Sequence, residues 1–182
     1  MRLFTALDLS PEVLGNVEGF LAALRPTAKI NWSPTANLHI TTKFIGEWPD
    51  AKLGALTDAL RALPARAPIA VHIRQVGFFP NARSPRNFWC GIEAPGLAEL
   101  AADTEQATEA LGIRSEKRAY SPHLTLARIK ERVDLRHLHQ AVEAAPSLDF
   151  GAFEARGFFL YRSQLHPSGS VYTKLAEFPF SK

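Results

Sequence analysis

Two tetrapeptides, His39-Ile40-Thr41-Thr42 and His123-Leu124-Thr125-Leu126, repeat the order histidine, apolar residue, threonine in widely separated parts of the chain. On an extended strand, residues two apart face the same side, so each histidine is expected to share a face with the threonine that follows it. Imidazole titrates near neutrality, so one copy can be neutral while the other is protonated. The neutral ring takes a proton from an attacking group, and the protonated ring gives one to a leaving oxygen. The neighbouring hydroxyls can hydrogen-bond the non-bridging oxygens of an anion held between them. These are the requirements of phosphodiester cleavage, and nothing in that chemistry calls for a metal. A single copy would be explained as a strand histidine satisfied by nearby backbone. Recurrence of the pattern, each time after turn residues (Asn37; Ser121-Pro122), favours a paired site.

The elements expected to position these residues follow from periodicity and punctuation. Residues 3–9 read as a buried strand, and Ser10-Pro11-Glu12 supplies an N-cap, a first-turn proline and an acidic first turn for a helix to about residue 25. Residues 31–36 are turn-like, residues 38–45 alternate as a strand ended by Gly46, and Asp50 can cap a second helix through about residue 63. Strands over 69–79 and 87–93 are expected to form a hairpin around a proline-containing loop, and a helix over 97–111 stops at Gly112. A strand at 123–129, a helix at 135–144 and strands at 150–162 and 172–178 complete the chain.

A chain of 182 residues suits one compact unit, and its net charge of +3 permits an anionic partner without resembling a polybasic tail. Cys90, the only cysteine, excludes an internal disulfide and a cysteine-based zinc site, and reads as a small buried apolar residue. No segment approaches the roughly 20 apolar residues of a bilayer-spanning helix. Asp8 interrupts any leader-like apolar run, so a cytoplasmic location is expected. His137-Leu138-His139 lies on an expected helix, where residues two apart diverge, so a metal pair there is disfavoured. Arg83 and Arg86, with Arg114, Lys117 and Arg118, are candidates for a basic rim.

Further stretches carry a resemblance: 2–9, Asn37 to Thr41 with Phe44-Ile45-Gly46-Glu47, Gly77-Phe78-Phe79-Pro80, Ser121 to Arg128, Leu160-Tyr161-Arg162-Ser163 and Tyr172-Thr173. Along nearly its whole length the chain resembles the bacterial and archaeal RNA 2′,3′-cyclic phosphodiesterases, also called LigT or ThpR and historically 2′-5′ RNA ligases, of the two-histidine phosphoesterase superfamily. The resemblance implies an α+β fold over 1–182, with two lobes of antiparallel sheet, outer helices and a pseudo-two-fold bringing both motifs to a central cleft. It implies metal- and cofactor-free hydrolysis of RNA 2′,3′-cyclic phosphate ends to 2′-phosphates by a monomer, with His39 as proton donor and His123 as acceptor. ATP-independent 2′-5′ ligation at the same site, or RNA-end binding without turnover, are the competing readings. Arg128 matches a family arginine that contacts phosphate, yet its odd offset from His123 puts it on the opposite strand face unless the strand bends. Phe44, at the same offset from His39, could stack on a nucleobase but by parity belongs to the core. Thr42 stands where an aliphatic residue is usual, and Tyr120 where phenylalanine is common.

Overall fold

Helix α1 (Pro11–Leu24) begins where its sequence signals place it. In the computed structural model, which describes residues 1–181, Ser10 is extended and its Oγ accepts the Val13 N–H at 3.3 Å, ahead of Pro11. Val13, Val17, Leu21 and Leu24 form one buried stripe, each contributing about 1.5–3 kcal/mol through burial. Helix α3 (Leu97–Glu109) ends ahead of Gly112, whose φ of +85° is the left-handed conformation expected of a helix-terminating glycine. The hairpin of β4 (Ile69–Phe79) and β5 (Asn87–Glu93) has the expected bounds, and α4 (Arg136–Glu143) lies within its expected range.

Other expectations are corrected. Residues 150–162 are two strands, β7 (Asp149–Ala155) and β8 (Gly157–His166), which pair in different sheets. At the change of sheet a Cβ on Gly157 would lie 2.8 Å from the Phe178 carbonyl oxygen, so the close approach requires glycine. The turn-like residues 31–36 include a short strand, β2 (Asn31–Trp32), paired with β6 (His123–Arg128). Asp50 is not a side-chain cap: it opens a 3-10 turn, and α2 (Leu53–Arg61) starts without one. The final strand β9 (Gly169–Pro179) begins earlier than expected and forms a long hairpin with β8.

With β1 (Arg2–Leu7) and β3 (Ile40–Glu47), one sheet has the order β3-β1-β8-β9 and the other β2-β6-β5-β4-β7; every pairing is antiparallel. Apart from β2, the two orders correspond. Each sheet has a motif strand (β3, β6), then the strand that precedes it across a helix (β1, β5), then two more. The helices cross over: α1, which follows β1, packs on β7 of the second sheet, whereas α3, which follows β5, packs on β3 of the first. One buried cluster links the two halves, with Leu3, Leu7, Leu97 and Leu100 alongside Val71, Phe88, Leu124 and Leu126. Cys90 is fully buried within it, as its sequence reading implies.

Candidate active site

Both histidines sit at strand starts, His39 immediately before β3 and His123 opening β6. Each points Nδ1 at the carbonyl two residues back: His39 to Asn37 at 2.6 Å and His123 to Ser121 at 2.9 Å. When Nδ1–H donates there, the neutral ring carries its lone pair on Nε2, so the same local contact presets the same tautomer twice. His39 Nε2 lies 3.0 Å from Thr41 Oγ1, the histidine–threonine pairing expected from strand parity.

Parity then breaks in the same way in both strands. Thr5 pairs with Lys43 and Ala6 with Thr41, leaving Thr42 unpaired. Phe88 pairs with Ala127 and Trp89 with Thr125, leaving Leu126 unpaired. Each motif therefore carries a one-residue bulge immediately after its threonine, which shifts the following residues by one position. Arg128 consequently returns to the side of His123 and Thr125, exposed like His123, while Leu124, Leu126 and Ala127 are buried. Phe44, assigned to the core by simple alternation, is 65% exposed, and its ring lies 6.3 Å from Phe4, which stacks on His39 at 4.7 Å. Lys43 takes the inward position instead, only 5% exposed, with Nζ donating to Glu105 at 2.6 Å and to the Arg114 carbonyl at 2.9 Å. This contact ties Arg114 to the helical side of the first sheet. Thr42, the unusual residue at the first bulge, is buried with its hydroxyl 2.7 Å from that of Thr5.

A reciprocal pair of hydrogen bonds joins the motifs. Tyr120, just ahead of the second motif, donates its hydroxyl to the Thr41 carbonyl at 2.9 Å. Ser33, ahead of the first, donates Oγ to the Thr125 carbonyl at 2.9 Å and its N–H to Leu126 O at 2.8 Å. Each segment leading into one motif thus grips the bulge of the other, and β3 and β6 meet where the two sheets adjoin. Burial pushes the Tyr120 hydroxyl pKa up, keeping it a donor.

The surroundings of the histidines differ. His39 is half-buried among Phe4, Tyr161 and Tyr172, the last edge-on at 5.2 Å. Burial lowers its pKa below the ordinary imidazole value; the Asn37 carbonyl and the negative charge of Asp8 oppose that shift without cancelling it. Asp8 accepts the Tyr161 hydroxyl and binds Lys174 Nζ at 2.7 Å. His123 is exposed. On its sheet, Trp89 pairs with Thr125, and a Cβ at Gly77 would come within 2.3 Å of the indole, so only glycine accommodates that ring. Sequence reasoning missed Phe4, Asp8, Ser33 and Trp89; their parts depend on cross-strand neighbours. His139 packs on Phe78 at 4.8 Å, and His72 bonds Asp149 at 2.9 Å, both away from the motifs.

Residues 7–89 and 92–172 match the model of the family described as LigT like Phosphoesterase. A Methanocaldococcus jannaschii protein named RNA 2′,3′-cyclic phosphodiesterase is 32% identical over 97% of this chain and 99% of its own length. A Thermus thermophilus protein of the same name is 34% identical over 98% of this chain and 89% of its own. Among solved structures, one of a Thermus thermophilus protein superposes with a TM-score of 0.82 at 32% identity, covering 99% of this chain and 98% of that one. E. coli LigT complexed with 3′-AMP gives 0.81 at 26% identity, covering 100% and 98%.

Proposed function

We propose, from the premise that this chain belongs to the LigT-like phosphoesterase family, that it hydrolyses RNA 2′,3′-cyclic phosphate ends to 2′-phosphate ends. The observation that supports this most directly is the duplicated geometry: two histidines with the same Nδ1 contact and two bulged threonine strands meet at one seam. In this reading His39, protonated on Nε2, gives its proton to the leaving 3′-oxygen as the P–O3′ bond breaks. His123 Nε2 accepts a proton from the water whose oxygen forms the new bond to phosphorus. Thr41 and Thr125 donate hydrogen bonds to the non-bridging oxygens, and the Arg128 guanidinium balances their charge. Phe44, exposed beside the aromatic wall, offers a face to the terminal base.

Burial opposes protonation of His39, and the negative charge of a bound phosphate reverses that balance. Each lobe supplies half of the chemistry, so residues 1–182 act as one catalytic unit, a cytoplasmic monomer working without metal or cofactor. The test is product analysis with an oligoribonucleotide ending in a 2′,3′-cyclic phosphate, in the presence of EDTA. A 2′-phosphate is expected as the sole product. A 3′-phosphate, or a requirement for added metal, would overturn the mechanism.

A further inference from the structure

Beyond Thr125 the second sheet ends in a group of cations of which the proposed reaction uses Arg128 alone. The register pairs Asn31 of β2 and Asn87 of β5 with Arg128 of β6, and the Ile129 N–H donates to the Arg86 carbonyl at 2.8 Å. These pairings set Lys29, Arg128 and Lys130 side by side at one corner of the sheet. A pocket of about 230 Å³ opens there, lined by Lys29, Asn31, Arg128, Lys130 and Glu131 among others. Both lysines are exposed, and among the described residues the ion pairs engage other cations, leaving Lys29, Arg86, Arg128 and Lys130 without carboxylate partners. Unpaired like charges held together by strand register repel one another, and an anion relieves that repulsion.

We infer that this pocket is a second phosphate subsite, which takes an internucleotide phosphate of the RNA strand upstream of its cyclic end. The inference rests on the proposed activity and adds to it a contact that recognises the strand upstream of the reacting end. Arg128 stands at the junction, shared between the reacting phosphate and the pocket. Lys29 and Lys130 carry the strand outward. Glu131 leaves the pocket net positive, and its carboxylate with the Asn31 amide can hydrogen-bond a ribose 2′-hydroxyl, the group that marks the strand as RNA.

The experiment compares adenosine 2′,3′-cyclic monophosphate with a pentaribonucleotide ending in a cyclic phosphate, using wild type and the double variant Lys29→Ala/Lys130→Ala. For the pentaribonucleotide, kcat/KM is expected to fall about tenfold through KM, and its log–log salt slope to shrink by about 0.7 per lysine removed. For the mononucleotide, kcat/KM should stay within about twofold, because one phosphate reaches only the motifs. Equal losses on both substrates, or no loss on the pentaribonucleotide, would overturn the subsite. Anisotropy titration of a 2′-phosphorylated pentaribonucleotide reads the pocket without turnover. Binding about tenfold weaker in the variant supports the inference, and unchanged binding refutes it. If the wild-type protein turned over neither substrate, the proposed activity would fall while this binding result still decided the subsite.

Discussion

His39 and His123 share a backbone contact and differ in access to water, and the enclosure of His39 sets how that ring responds to pH. The aromatic enclosure of Phe4, Tyr161 and Tyr172 disfavours the imidazolium of His39. Its folded-state pKa lies below its unfolded value, so between the two the unfolded chain binds more protons. This residue's contribution to stability therefore rises with pH through that window and is complete above the ordinary imidazole value. In the proposed donor role His39 must be protonated, so its loss of the proton as pH rises places the alkaline limb of kcat/KM below the ordinary histidine value. NMR titration of the imidazole carbon signals, assigned with His39→Gln, checks this. The His39 signal should titrate below the ordinary value in the free protein and shift upward with bound 2′-AMP. A His39 signal at or above the ordinary value without ligand would remove the basis for the enclosure argument. At this scale the sequence is informative: type and spacing point to both histidines and both threonines as candidates, and the structure sets the two sets at corresponding strand positions.

Strand parity located those four residues and misplaced the next two. Whether residue i+5 returns to the face of residue i depends on a bulge, and a bulge is defined by the number of residues on the partner strand. Nothing in His123-Leu124-Thr125-Leu126-Ala127-Arg128 records that Leu126 has no partner on β5. Phe44 and Arg128 thus occupy corresponding exposed positions for one reason, and Lys43 is drawn inward to Glu105 by the same shift. The short β2 strand and the change of sheet at Arg156 were hidden likewise, since two paired residues and a switch of partner leave no periodicity to read. The bulges are held by the crossed hydrogen bonds of Ser33 and Tyr120. Tyr120→Phe keeps the ring and removes the donor, so it should cost about 1 kcal/mol of unfolding free energy in urea. Its kcat/KM should stay within about threefold, because the Thr41 carbonyl is a support and takes no part in proton transfer. Unchanged stability would show that the crossed bond contributes nothing to holding the seam.

The crossover of helices makes the two lobes interdependent. α1 follows a strand of the first sheet and packs on the second, and α3 does the reverse, so each sheet takes part of its helical cover from a helix that follows a strand of the other. The repeated tetrapeptide hinted at this duplication, and resemblance supplied the two-lobed α+β arrangement, but the exchange of helices could not be read because it concerns where elements pack. In the proposed mechanism two half-sites, one per lobe, face one phosphate and should function as a unit. Residues that act as a unit lose activity together, so removing either gives nearly the loss of removing both. The decisive measurement is a double-mutant cycle on turnover of a cyclic-ended oligoribonucleotide, comparing His39→Ala, His123→Ala and the double variant. We predict that each single variant loses about a thousandfold or more in kcat, and that the double variant is scarcely worse than either. Full activity in one single variant, or losses that multiply in the double, would contradict a paired-histidine site.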